Sequence, residues 1–146
     1  MSMLMRFVFG DGPAPALDVI GGVLRAQDPA CEVLIDALEP VYADLLFDGE
    51  LYAELEINAP GDDLFDEDVE DLALELGKQD DPNAAIPLAL LRRAQGMLVL
   101  HVLRAGHEDF ARLEPLFDWL YSTRDGLLQV DQEGFFNQNG RVVALL

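Results

Sequence analysis

Val41–Asn58, VYADLLFDGELYAELEIN, carries the clearest structural statement in the chain. Asp48-Gly49 sits between two apolar-rich arms, the two-residue signature of a β-hairpin. In the second arm Leu51, Ala53, Leu55 and Ile57 alternate with Tyr52, Glu54 and Glu56, which predicts a strand with one buried and one wet face. A two-residue loop places Asp44 opposite Ala53 on the apolar side, so either Asp44 has a partner or the register differs.

Upstream, Met5–Phe9 reads as a strand stopped by Gly10-Asp11-Gly12-Pro13. Ala16, Leu17, Ile20, Val23 and Leu24 then recur at helical steps between Pro15 and Gln27. Gly21-Gly22 inside that stripe point to close packing, and Asp28-Pro29 ends it. Glu32–Leu38 is mostly strand-like. Downstream, Phe65, Val69, Leu72 and Leu76 mark an amphipathic helix that Gly77 stops. A second helix starts near Pro87 and ends at Gly96, with Arg92 and Arg93 in its last turn. Met97–Leu103 reads as a strand buried on both faces, and a helix follows from about Glu108 to Thr123. Leu127–Asp131 is a further strand, and Gln138-Asn139-Gly140 turns the last hairpin between Phe135–Asn137 and Val142–Leu146.

The order is βαββ, two helices, βαββ, with each half running strand, glycine turn, helix, strand, hairpin. This predicts a single α+β domain over 1–146, with duplicated halves at about 4–58 and 97–146 joined by a helical segment at 62–96. The expected sheet is mostly antiparallel with helices on one face. The arrangement resembles the ferredoxin-like βαββαβ style, a likeness of fold that implies no function.

The 28 acidic against 9 basic side chains give a net charge of −19, yet 51% of the residues are hydrophobic, too many for a disordered chain. Such a balance argues against nucleic acid, which needs Lys and Arg in quantity, and against anionic membrane surfaces. A salt-adapted source would explain the charge equally well. The opening MSMLMRFVFGDG is too short an apolar run for a signal peptide, and no stretch nears the roughly 20 apolar residues of a membrane span. A single cysteine, Cys31, forms no internal disulfide, and with two histidines it makes no metal-ligand spacing. These features predict a cytoplasmic protein without metal or cofactor.

Seven acids crowd into residues 62–71, with Asp63, Glu67 and Asp71 on one helical face. That face is either solvated or a surface for a basic protein partner. A bare carboxylate row binds divalent ions weakly, and the calcium-loop spacing is absent both there and in DQEGFFNQNG, Asp131–Gly140. Catalytic candidates are sparse. Asp131 and Glu133, two residues apart, are a candidate carboxylate pair, and His101 a candidate general base, although a histidine among Met97, Val99 and Leu103 also reads as core. His107 lies at a helix start, Cys31 has no adjacent histidine, and Ser2 and Ser122 lack a nucleophile-elbow context. In a continuous helix from 108 to 123, Trp119 aligns with Arg112 and Pro115 opposite the core stripe, the look of an interface anchor; the alternatives are that Pro115 breaks the helix or that a second helix or the N-terminal turn covers Trp119. The apolar VVALL end is an unprotected edge strand, which together with Trp119 predicts a homodimer.

The leading expectation is a non-catalytic binding protein of inhibitor or immunity type, presenting an acidic surface to a basic partner. A carboxylate enzyme or small-ligand binder with a sheet-lined pocket is the second, and a structural or regulatory subunit kept soluble by its acidity the third.

Overall fold

The computed structural model describes residues 3–145. All eight strands form one antiparallel sheet: β1 (Met3–Phe9), β2 (Cys31–Ile35), β3 (Tyr42–Phe47), β4 (Glu50–Asn58), β5 (Gly96–Val102), β6 (Gly126–Val130), β7 (Gly134–Asn137) and β8 (Gly140–Ala144). Their order across the sheet is β2-β3-β4-β5-β1-β6-β7-β8. The α+β class and the antiparallel sheet are therefore as the sequence predicts.

Each half is a strand, a helical crossover and a three-stranded meander, one strand more than the βαββ shorthand. The meanders run in opposite senses. β2-β3-β4 starts at one edge and ends beside β5, whereas β6-β7-β8 starts beside β1 and ends at the other edge. β1 lies between β5 and β6, so the halves interleave in one sheet and do not superpose as a simple repeat.

The helices occupy both faces, which corrects the one-faced expectation. On the first face α1 (Leu17–Gln27) and α5 (Glu114–Thr123) pack Ile20, Leu24, Leu116 and Leu120 against Phe7, Leu45, Leu55, Leu98 and Leu100. On the second, α2 (Asp63–Gly77) and α3 (Ala85–Arg92) pack Phe65, Leu72, Leu76, Leu90 and Leu91 against Val8, Met97, Val99, Phe135 and Val143. Two buried faces explain why the middle strands read as nearly continuous apolar runs. Gly21 does mark close packing, since a Cβ there would meet Val33 Cβ at 3.2 Å.

The hairpin turn lies where the sequence puts it, with Asp48 at φ 53° and Gly49 at φ 79°. A bulge between Leu45 and Leu46 then shifts the register, so that Leu45 opposes Ala53 and Asp44 opposes Glu54. Both Tyr52 and Ala53 turn into the core, and Asp44 lands on the polar face. The helix expected over 108–123 is broken. A short α4 (Arg104–Glu108) and a 3₁₀ turn at Phe110–Arg112 precede α5, whose first turn holds Pro115. Arg112 in the 3₁₀ turn and Trp119 in α5 therefore do not share one helical face. Trp119 is half-buried against the first-face core.

β8 is an edge strand of the sheet, as expected, but its apolar side chains are covered by the second-face core. Val143 and Leu145 at the β8 end are buried, whereas Leu34, Ile35, Leu38, Val41 and Tyr42 stand exposed at the β2 edge.

Candidate functional site

The second face of the sheet is covered on one half only. Its core draws on β5, β1, β6, β7 and β8 under α2 and α3, and on no residue of β2, β3 or β4. Side chains on the uncovered half follow from register. One cross-strand row runs Leu34, Asp44, Glu54, His101, Leu4, and the next runs Tyr42, Glu56, Val99, Arg6, Gln129, Phe135. Glu54 and Glu56 lie on the wet side of β4 that the alternation in the sequence defines.

These rows floor a groove of about 830 Å³. Glu54, Glu56, Tyr42 and His101 come from the open half-sheet, and Asp131, Gln132 and Glu133 form the far wall at the β6–β7 turn. Gln132 holds that turn with φ 66°. The three catalytic candidates, His101, Asp131 and Glu133, thus line a single groove, joined at one end by His107. Among the described residues no lysine or arginine lines it.

His101 is not a core residue. The helical cover reaches Met97 and Val99 on its strand face and stops short of residue 101, leaving the imidazole 46% exposed with Nδ1 3.4 Å from Glu54 Oε1. The charge of Glu56 and its hydrogen-bonding capacity raise the pKa of the neighbouring Tyr42 phenol, which faces the groove neutral.

Arg6 ties the far wall to α2. Its Nε donates to Asp68 Oδ2 at 2.8 Å, and Nη1 donates to Gln129 Oε1 and to Asp131 Oδ1, both at 2.7 Å. Gln129 Nε2 in turn donates to Asp131 Oδ1 at 2.9 Å. Burial lowers the guanidinium pKa, but the bonds and charges of Asp68 and Asp131 outweigh it and the net direction is up. Past this hub a second, smaller groove continues along α2, lined by Asp68, Asp71 and Glu75 and sharing Asp131 and Gln132 with the first. Asp71 belongs to the helical row of Asp63 and Glu67, both exposed. The acidic helix and the open sheet face are therefore neighbours along one acidic surface.

Arg112 and Trp119 lie away from it. Arg112 pairs with Asp48 at 2.9 Å and Asp28 at 3.4 Å and stacks 5.1 Å from the Phe47 ring centroid, held by the chain's own groups. Among the described residues no group of three or more His, Cys, Asp or Glu is arranged to hold a metal ion, and no helix is long and apolar enough to cross a membrane.

Sequence reasoning missed Glu54, Glu56 and Tyr42 as site residues. The alternation in β4 was the available signal, but only the sheet order shows that their face stays open. Comparison with protein-family models, with curated proteins and with solved structures finds no match in any of the three.

Proposed function

We propose that this chain is a non-catalytic binding module, of inhibitor or immunity type, whose acidic groove receives a basic segment of a partner protein. One observation supports the reading above others: a sheet face left open beside an acidic helix, with Glu54, Glu56, Asp131 and Glu133 at its groove and no lysine or arginine among the described lining residues. A surface of one sign focuses its field and raises the encounter rate with an oppositely charged partner. Its exposed width suits side chains of an extended or helical segment better than a small molecule needing enclosure.

The same groove offers a second reading, carboxylate acid–base chemistry by His101, Asp131 and Glu133. Such chemistry relies on desolvated groups with well-separated pKa values, and His101 and Asp131 are 46% and 44% exposed. Binding is the better supported of the two.

Fluorescence anisotropy with a labelled arginine-rich peptide tests the proposal. Affinity should fall steeply from low to high salt, and Glu54→Gln with Glu56→Gln should weaken binding on the order of fivefold at low salt. Salt-independent affinity, or equal binding by the double variant, refutes it.

A further inference from the structure

A separate groove opens on the first face of the sheet, between α5 and the strands β1, β6 and β7. It holds about 410 Å³, within the range of small-molecule sites. Four of the twelve aromatic residues line it: Phe110, Phe117, Tyr121 and Phe136. Phe110 and Phe117 stack with centroids 5.9 Å apart, and the Tyr121 hydroxyl donates to the Phe136 carbonyl at 3.0 Å, which fixes the opposite wall. Three carboxylates, Glu114, Asp118 and Glu133, stand at its margin. No lysine or arginine is among the described lining residues.

Elsewhere this fold fills the same combination of ring and carboxylate with its own arginine. Arg112 lies 5.1 Å over Phe47 and pairs with Asp28 and Asp48. Arg124 lies 4.6 Å over Phe9 and pairs with Asp11 at 2.9 Å. Those are the two cation–ring stacks among the described residues, and neither is in this groove. Ring faces carry negative potential and attract cations, most strongly where water is partly excluded. Apolar walls select against a small hydrated ion and for a cation with an organic body.

We propose that this groove is a binding site for an organic cation, an alkyl- or aryl-ammonium compound whose apolar body lies against the four rings while its charge faces Glu114 and Asp118. The site lies mainly on the opposite face from the acidic groove of the proposed function and does not depend on it, although Met3, His107 and Glu133 border both.

The probe is benzyltrimethylammonium, followed by methyl NMR at physiological salt, with benzyl alcohol and benzoate as neutral and anionic counterparts of the same ring. Saturable shifts are expected at Met5, Leu128 and Val130, which line this groove alone among these reporters. The cation should bind at least about fivefold tighter than either counterpart. Glu114→Gln with Asp118→Asn, both exposed on α5, should weaken it severalfold without changing the circular dichroism spectrum. Phe136→Ala should weaken it by about two- to fivefold. Equal affinity for benzyl alcohol, shifts confined to the Glu54–Glu56 side, or full affinity in the carboxylate variant overturns the proposal. Because Glu54→Gln and Glu56→Gln leave this groove intact, failure of peptide binding and failure of cation binding are separate results.

Discussion

Replacing Arg6 by Met tests whether the groove wall and the acidic helix are held together by one side chain. Methionine keeps an unbranched apolar stem on β1 and removes the charge and all three hydrogen bonds that Arg6 donates. The Arg6 side chain is 11% exposed, and of its partners Asp68 and Gln129 do not simply exchange it for bulk water. Asp68, 25% exposed, loses a charge-assisted bond of the kind that contributes about 1.5–3 kcal/mol when partly buried. Gln129, 2% exposed, loses the donor to its carbonyl oxygen, about 1 kcal/mol. Asp131, 44% exposed, rehydrates and adds at most a surface-pair value of about 0.5 kcal/mol. Removing the cost of desolvating the guanidinium offsets part of this sum. The net expectation is a loss of about 2–4 kcal/mol, with Tm lowered by roughly 5–15 °C for a chain of this length. Urea unfolding should show a lower midpoint with an unchanged slope, and hydrogen exchange should speed up in α2 more than in α1. In a double-mutant cycle with Asp68→Asn, coupling of about 1–2 kcal/mol is expected. A loss below about 0.5 kcal/mol, or zero coupling to Asp68, refutes the reasoning.

Two further outcomes follow from local environments. Burial pushes the Cys31 thiol up to about 11, with the charge of Asp28 adding to it, so native protein at pH 8 should react with a thiol reagent far more slowly than protein in urea; equal rates would contradict the burial. The Arg124 guanidinium, hydrogen-bonded to Asp11, holds that carboxyl below its ordinary value against the opposing effect of burial. A folded-state pKa that is depressed stabilises above the unfolded pKa, and the stability is lost as pH falls through the folded one. Asp11→Asn should therefore lower Tm at neutral pH by an amount that shrinks toward zero as pH drops below about 4, read from melts across pH; a difference that grows on acidification contradicts it.

Much of the fold was legible because its signals are local. Asp48-Gly49 and Asn139-Gly140 demand turns whatever surrounds them, and the alternation in Glu50–Asn58 assigns a wet face without knowledge of the neighbours. What the sequence hid depends on partners distant along the chain. The bulge at Leu45/Leu46 is a choice between burying Asp44 opposite Ala53 and skipping one residue, and the second option costs less than an acid in the core. Helices on both faces follow from sheet order, since α2 and α3 link adjacent strands β4 and β5 and close back over the second face. His101 reads as core because its strand is apolar throughout; only the point where the α2–α3 cover ends exposes it. Pro115 was the local clue that the 108–123 helix is not continuous, and the structure places it in the first turn of a new one.

The net charge takes on a different meaning once its few cations are located. Five of the eight arginines, Arg6, Arg93, Arg104, Arg112 and Arg124, are engaged in ion pairs within the chain. Arg93, Arg112 and Arg124 neutralise acids at loop junctions, Arg104 pairs within α4, and Arg6 pairs with Asp68 of α2 and with Asp131, the one acidic-groove carboxylate that an arginine pairs with. Glu54 has the imidazole of His101 as its nearby counter-group, and Glu56 faces the Tyr42 phenol. Apart from Arg6 on Asp131 and Arg141 on the Glu133 carbonyl, the arginine contacts lie elsewhere, so Glu54 and Glu56 keep a negative field of the kind that steers a basic partner and that salt weakens first.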